Sequence, residues 1–348
     1  MLLRHLKLSN FRNFHTQSFS FNLFLTIVIG SNARGKTNLL EAVYFIVNGT
    51  GFRESREEEL ITRGEVTQMV DGIFVLGDDE QENKIVLTNN KGRIEKTFMI
   101  NKAKRKFFQY QEESNKTVLF SPEQLSIIIG PPQERRDYFD RLLSFYDPVY
   151  KKRSVNYENG LRKRNKILEF HTDEKQLKEE LVFWNDYLIE QASYISQKRD
   201  EYMQYLNLHP EIEDKRFQIV YMQSKFASDT LEKVFDLEKR YRKTLVGPQK
   251  DDFILSKIYN EEKFNIHHFG SRSEQRLGVF WLHLNEVMYY EEHFHRKPII
   301  LLDDIFSELD THNKKLVINL IRNYQTILTT TEDEIIELAD IPKSIIQL

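Results

Sequence analysis

Residues 30–37 read Gly30-Ser31-Asn32-Ala33-Arg34-Gly35-Lys36-Thr37, directly after the apolar residues 26–29 and before residues 38–45, whose apolar positions fall at helical spacing. Strand, glycine-bearing loop and helix in that order make a phosphate-binding P-loop. Backbone N–H groups of the loop and the positive end of the helix can surround phosphates. Lys36 can reach the β and γ oxygens, and the Thr37 hydroxyl can hold Mg2+. A glycine turn without a ligand is the competing reading, and the second half of the site weighs against it. That half is Pro298-Ile299-Ile300-Leu301-Leu302, an apolar run of the kind a buried parallel strand requires, ending in Asp303-Asp304. Carboxylates at the C-terminal end of such a strand lie at the ligand-binding edge of an α/β sheet. Asp303 would hold Mg2+ through water and Asp304 would polarise the attacking water, a solvated strand end being the plainer alternative.

The elements that must position these residues follow from the pattern around them. Residues 2–8 are an apolar-rich strand candidate with partial alternation, and Phe19-Ser20-Phe21 and residues 23–29 supply further strand. Short strands at 72–76, 84–87 and 97–100 predict a small antiparallel sheet against the nucleotide core. From about 134 to 245 glycine is nearly absent and apolar residues recur at helical spacing. Leu177, Leu181, Trp184, Leu188 and Ile195 form the clearest stripe, with Leu161 and Leu168 seven apart. This predicts long antiparallel helices in an inserted lobe, broken near His209-Pro210. Sheet and helix return over 246–330. The expected division is therefore 1–133 with 246–348 as one discontinuous domain, and 134–245 as the lobe.

The chain has 348 residues, no cysteine and a formal charge of −3. Disulfides, thiolate zinc sites and a cysteine nucleophile are excluded. No apolar stretch approaches a membrane span or a signal peptide, so the expectation is a soluble cytoplasmic protein without a membrane partner. Charge is uneven: residues 151–170 carry seven Lys or Arg against two Glu, and Lys102, Lys104, Arg105 and Lys106 make a second cluster. Such patches can follow a phosphate backbone or can be ordinary solvated faces. His267 and His268 have no further ligands at sensible spacing, so no metal site is expected there.

Four further stretches carry a family resemblance: Leu8-Ser9-Asn10-Phe11-Arg12-Asn13-Phe14; residues 118–125 with 129–140; Gly247-Pro248-Gln249-Lys250-Asp251-Asp252; and Gly270-Ser271-Arg272-Ser273-Glu274-Gln275-Arg276. With the P-loop and the acidic strand they occur in order across nearly the whole chain, which resembles the RecF family of DNA replication and repair ATPases. The resemblance implies an α/β fold: a P-loop NTPase of the ABC/SMC head type, with an antiparallel β subdomain and an inserted helical lobe. It implies ATP and Mg2+ as cofactors, and ATP sandwiched between two head-to-tail copies in a homodimer. It also implies ATP-dependent binding of gapped, single- or double-stranded DNA, slow hydrolysis, and RecR and RecO homologues as partners in loading recombinase. By position, Lys36 and Thr37 grip phosphates and metal, Asp303 is the metal-side carboxylate and Asp304 the water-activating one. Residues 271–276 are the signature facing the other copy's nucleotide, through Ser271, Ser273, Glu274 and Gln275. Gln124 matches the metal-sensing glutamine, or its Ser-Pro-Glu neighbours form only a turn. Arg12 reaches phosphate or DNA, or is a surface arginine. Thr329 stands where related ATPases carry a histidine near the γ-phosphate, and Asp310 falls in the loop that meets the other copy.

Three departures from the family pattern matter. Ala33 replaces glycine in the P-loop, which is harmless at negative φ but costs ~1 kcal/mol or more in a left-handed conformation. Ser273 and Glu274 replace glycine and glutamine in the signature. Gln249-Lys250 replace histidine and arginine, keeping a charge but losing the planar fork. Two other functions suit a head of this kind: an SMC-like ATP-binding scaffold for a protein partner, and the head of an ATP-dependent defence nuclease. The second needs an additional metal-binding nuclease domain with clustered acidic residues; the 38 residues after Asp310 are too few for one, and the central insertion has no convincing cluster.

Overall fold

The computed structural model describes residues 1–53, 56–170, 173–209, 211–212, 215–309, 311–331 and 341–348. Pro210 and Asp310, both singled out above, lie outside these residues. The chain divides into two compact units, Met1–Glu123 with His283–Leu348, and Gln124–Leu282.

The first unit is built on two sheets. A parallel sheet has the order Lys343–Gln347, Leu25–Ile29, Thr326–Thr330, Ile299–Asp303, Thr117–Phe120. Three of its strands are buried along their whole length, which explains why residues 299–302 read as an unbroken apolar run. An antiparallel sheet has the order Phe14–Ser20, Leu2–Phe11, Thr67–Leu76, Asp79–Asn90, Arg93–Ile100, Ala103–Arg105. The helix Lys36–Asn48 buries Leu39, Leu40, Val43, Phe45, Ile46 and Val47 in one core with Val28, Leu301 and Ile327 of the first sheet and Leu6, Leu8, Val70 and Ile85 of the second. A helix apolar around most of its circumference is what two flanking sheets require. The antiparallel strands are longer than the short runs read from sequence. The strand Lys343–Gln347 was not foreseen, because the sheet pattern was followed only to residue 330.

The second unit pairs the helices Pro148–Phe170 and Glu174–Leu208 antiparallel, as the bonds Arg153–Glu190 and Arg164–Asn185 across them show. Leu177, Leu181, Leu188 and Ile195 are buried along the seam, with Trp184 half-buried. One expectation fails within the stretch read as helical. Lys215–Met222 is a strand, flanked by Glu211–Ile212 and paired antiparallel with Asp252–Tyr259, which in turn pairs with Glu262–Asn265. Its Phe217 and Ile219 are buried while Arg216 and Val220 are exposed, the period-two pattern of a half-buried strand. Because its pairing partner lies after residue 245, this unit extends past the 134–245 boundaries expected for the lobe.

Candidate functional site

Parallel pairing sets the geometry of the phosphate loop. In register, Asp303 lies beside Thr329 and Thr329 beside Val28, so the threonine strand stands between the P-loop strand and the acidic strand. Asp303 is 4% exposed. Its Oδ1 accepts from the Thr37 hydroxyl at 3.0 Å and from the Thr329 hydroxyl at 2.7 Å. Burial raises its carboxyl above the ordinary range, and the two hydroxyls oppose that shift. Asp304 ends the strand in a left-handed conformation, φ 48°, a region aspartate tolerates better than most residues, and donates its N–H to Thr329 Oγ1 at 3.0 Å. One threonine hydroxyl thus bonds both aspartates.

The loop itself is tightly specified. Lys36 is buried, with its ammonium donating to the carbonyls of Gly30 at 2.6 Å and Ser31 at 3.2 Å. Gly35, at φ 104°, begins the helix, and a Cβ there would lie 2.6 Å from the Asn13 amide nitrogen, so glycine is required on both counts. Ala33 takes φ 65°, the left-handed case, and carries the strain anticipated for it. Ser31, Asn32 and Arg34 are exposed.

Arg12 occupies the two-residue turn between Leu2–Phe11 and Phe14–Ser20 at φ 52°. Its guanidinium forks onto Glu41 of the P-loop helix, Nε to Oε2 at 2.7 Å and Nη2 to Oε1 at 2.9 Å, with Nη1 on the Glu59 carbonyl. The structure therefore places Arg12 beside the loop as a clamp on a fully buried carboxylate. Arg53 joins it, donating to Asn38 Oδ1 at 2.5 Å and to Glu41, while Asn38 donates to Asn13 at 2.7 Å and Asn13 to the Arg34 carbonyl at 3.3 Å. Asn38, Glu41 and Arg53 were missed. The available signal was a glutamate at a core position of an otherwise apolar helix.

In the second unit the signature opens the helix Arg272–Phe294. Ser271 is exposed, Ser273 and Glu274 are half-buried and Gln275 is buried, its amide donating to the carbonyls of Ile266 at 3.0 Å and His267 at 3.4 Å. Gln124 is half-buried in the turn Pro122–Leu125. The two other motif stretches of this unit form one cluster. Asp251 is fully buried and accepts from Arg199 at 2.6 Å, from the Ser224 N–H at 2.7 Å and from the Tyr221 hydroxyl. Arg199 also forks onto Asp140, Arg135 onto Asp252, and Arg136 donates to the Asp251 carbonyl. Gly247, at φ 119°, leaves no room for a side chain beneath the Tyr157 hydroxyl.

The basic stretch is split by the fold. Lys151, Lys152, Arg162 and Lys163 are exposed, but Arg164, first counted with them, is 1% exposed and bonded to Glu238 at 2.6 Å, Thr244 at 2.7 Å and Asn185 at 2.8 Å. It belongs to the core, not to a DNA-facing surface. His267 donates its Nδ1–H to the Ile128 carbonyl at 2.7 Å, and no group of three His, Asp or Glu suited to a metal occurs among the described residues.

A P-loop beside a buried strand-end aspartate, on a parallel sheet with an antiparallel subdomain, defines an ABC/SMC-type ATPase head. Residues 2–347 match the RecF/RecN/SMC N terminal domain family. The DNA replication and repair protein RecF of Natranaerobius thermophilus is 32% identical over 96% of this chain and 92% of its own length. A solved structure of the recombination mediator protein RecF with ATP superposes with a TM-score of 0.80 at 28% identity, covering 98% of this chain and 93% of that one. An Smc head bound to the C-winged helix domain of ScpA shares the fold alone, with a TM-score of 0.55 at 17% identity over 99% of this chain and 94% of that one. The chain belongs to the RecF family of DNA replication and repair proteins.

Proposed function

We propose that this chain is a recombination mediator that binds ATP, closes as a dimer of two copies on gapped, single- or double-stranded DNA, and hydrolyses ATP slowly to release it. The observation that carries this reading is the convergence of the Thr37 and Thr329 hydroxyls on Asp303 beside the P-loop. The donor set fits Mg2+, since a hydroxyl and a carboxylate oxygen 3.0 Å apart are hard oxygen ligands that phosphate oxygens and water complete. Bound there, Mg2+ would neutralise charge on the phosphate oxygens. Lys36 exchanges its two loop carbonyls for phosphate oxygens. Asp304 orients water, and Gln124 takes the metal-sensing place that the family pattern gives it. Ser271 and Ser273 face the nucleotide of the second copy, and Gln275 shapes the turn that presents them. Arg12 acts through Glu41 on the P-loop helix. RecR and RecO homologues are the protein partners of this reading. No helix among the described residues is long and apolar enough to cross a membrane, and the protein works in the cytoplasm, where the DNA is.

Sedimentation velocity in ADP, in ATP, and in ATP with gapped DNA tests the proposal. The expected result is a monomer in ADP, a dimer in ATP, and a dimer on DNA only when ATP is present. Lys36→Ala should abolish both changes. DNA binding that ignores ATP and Lys36 would sink the proposal, and ATP-dependent closure without any DNA binding would favour a scaffold for a protein partner.

A further inference from the structure

The second unit carries a cleft of about 590 Å³ that nucleotide binding does not use. It lies between the first turns of Glu174–Leu208 and the helix Ser228–Tyr241. The two helices run antiparallel there: Lys239 Nζ donates to the Glu174 carboxylate at 2.7 Å, and at the other end Asn185 and Ser228 both line the cleft. Lining positions 174, 178, 181 and 185 on one helix, and 228, 231 and 235 on the other, fall at steps of three and four, so each helix turns a single stripe toward the space. Leu181 and Leu231 are buried in its floor, Phe235 is half-buried, and Val182 is 58% exposed.

Two helices with an apolar seam left open between them provide the groove into which the ridge of a third packs. From Glu174 to Asp186 that seam is about 18 Å long, roughly three turns of helix. One end is closed by ions. Glu174 accepts from Lys178 and from Lys239, each at 2.7 Å, and both ammoniums lie over the Phe235 ring, at 5.0 and 5.6 Å. Arg164, the other cation of the lining, is committed to Glu238. At the opposite end Asp186 and Glu232 are exposed and hold no hydrogen bond or ion pair among the described residues. The cations of the cleft are therefore neutralised while two carboxylates are not. Such a rim repels a phosphate backbone and attracts lysine and arginine.

We propose that this cleft seats an amphipathic helix of a protein partner, with apolar side chains at i, i+3, i+4 and i+7 against Val182, Leu231 and Phe235, and with Lys or Arg where it meets Asp186 and Glu232. The proposal is independent of the nucleotide site, and either can fail without the other.

Two synthetic helical peptides test it, both with one stripe of leucines at these spacings, one flanked by lysines and the other by glutamates at the same positions. Their binding to the full chain is read by fluorescence anisotropy. The lysine peptide should bind saturably and at least about tenfold tighter than the glutamate peptide. Val182→Asp should abolish binding. Asp186→Lys with Glu232→Lys should invert the preference, so that the glutamate peptide binds tighter. ATP affinity and Tm should stay at their wild-type values in both variants. The inversion, made at two exposed positions, decides the matter if Val182→Asp does not fold. No saturable binding of the lysine peptide overturns the proposal, as does a preference that the charge reversal leaves unchanged. Self-association of the peptide-free chain without nucleotide, lost in Val182→Asp, would assign the cleft to a second copy. Loss of DNA binding in the same variant would assign it to nucleic acid, and either result overturns the partner helix.

Discussion

Thr329→Val is the sharpest probe of how the aspartates are held. Valine keeps the branched shape of the side chain in a strand that is fully buried, and deletes only the hydroxyl. That hydroxyl donates to Asp303 Oδ1 at 2.7 Å and accepts the Asp304 N–H at 3.0 Å. A hydrogen bond to a charged group is worth about 1.5–3 kcal/mol, and a buried N–H left without its acceptor costs roughly 1–3 kcal/mol more. A loss of about 3 kcal/mol is the conservative sum, which for a unit of this size lowers Tm by roughly 6–12 °C. The functional loss should be larger than the stability loss suggests, because both aspartates lose a common anchor. A misplacement on the order of 1 Å costs roughly 10² in rate. Differential scanning fluorimetry and single-turnover hydrolysis of ATP read the two effects, and Thr329→Ser, which restores the hydroxyl, should recover most of both. If Thr329→Val melts and hydrolyses like wild type, the hydroxyl does not organise the site and the argument from register fails.

Asp304→Asn should leave ATP binding intact and slow hydrolysis by roughly 10², the size of a lost acid–base contribution, whereas Asp303→Asn should weaken the Mg2+-dependent part of binding itself; titration and single-turnover assays on both variants separate the roles. Arg164→Met should destabilise the second unit by about 3–5 kcal/mol because buried Glu238 loses its partner, and adding Glu238→Leu should recover much of that loss in chemical denaturation. Reversing Lys151, Lys152 and Lys163 should reduce the logarithmic salt slope of duplex binding by about 0.9 for each phosphate these lysines neutralise, and an unchanged slope moves the DNA elsewhere. Burial works against the charge of Glu286, but Lys116 and His283 outweigh it and hold the carboxyl below its ordinary value of 4.5. Its contribution to stability is therefore present above that value and lost as pH falls through the folded-state value, so Glu286→Gln should flatten the melting profile on the acid side.

The phosphate loop and the acidic strand were legible because their chemistry is local. A glycine at φ 104°, a lysine and a hydroxyl must be consecutive to cradle one phosphate, and an aspartate at a strand end needs an apolar run before it. The helical seam was legible for the same reason, as Leu177, Leu181, Leu188 and Ile195 repeat on one helix face. Arg164 was misread because charge was counted along the chain without regard to face. It stands four residues before Leu168 and seven after Tyr157, both buried, so helical spacing already put it on the inner side. Lys215–Met222 was lost in the helical stretch although Phe217 and Ile219 alternate with exposed residues, because one short alternation is a weak signal amid long helical ones. Ser271-x-x-Glu274 has the spacing of a capping box, but its residues were weighed only against a ligand. Lys257, which bonds the same glutamate, comes from a strand 17 residues before Glu274, beyond the reach of any local pattern.

What the sequence could not supply is order across a sheet. The strands ending at Ile29, Asp303 and Thr330 were each visible as segments, yet nothing in their composition says that the threonine strand lies between the other two. That order makes Thr329 a direct neighbour of Asp303 and leaves Thr37 to reach the same carboxylate oxygen from the loop. It also accounts for polar side chains in a strand where the parallel neighbours are apolar. A buried hydroxyl needs a partner, and a buried carboxylate above the usual range needs donors, so the aspartate and the threonine satisfy each other at the point where the proposed metal and phosphates arrive. A histidine in place of Thr329 would bring a larger ring and a titrating nitrogen into the same register position. Threonine instead ties its hydroxyl to the Asp303 carboxylate and the Asp304 N–H, so in this chain the residue at that register position is a brace for both aspartates, and the function proposed above assigns water activation to Asp304 alone.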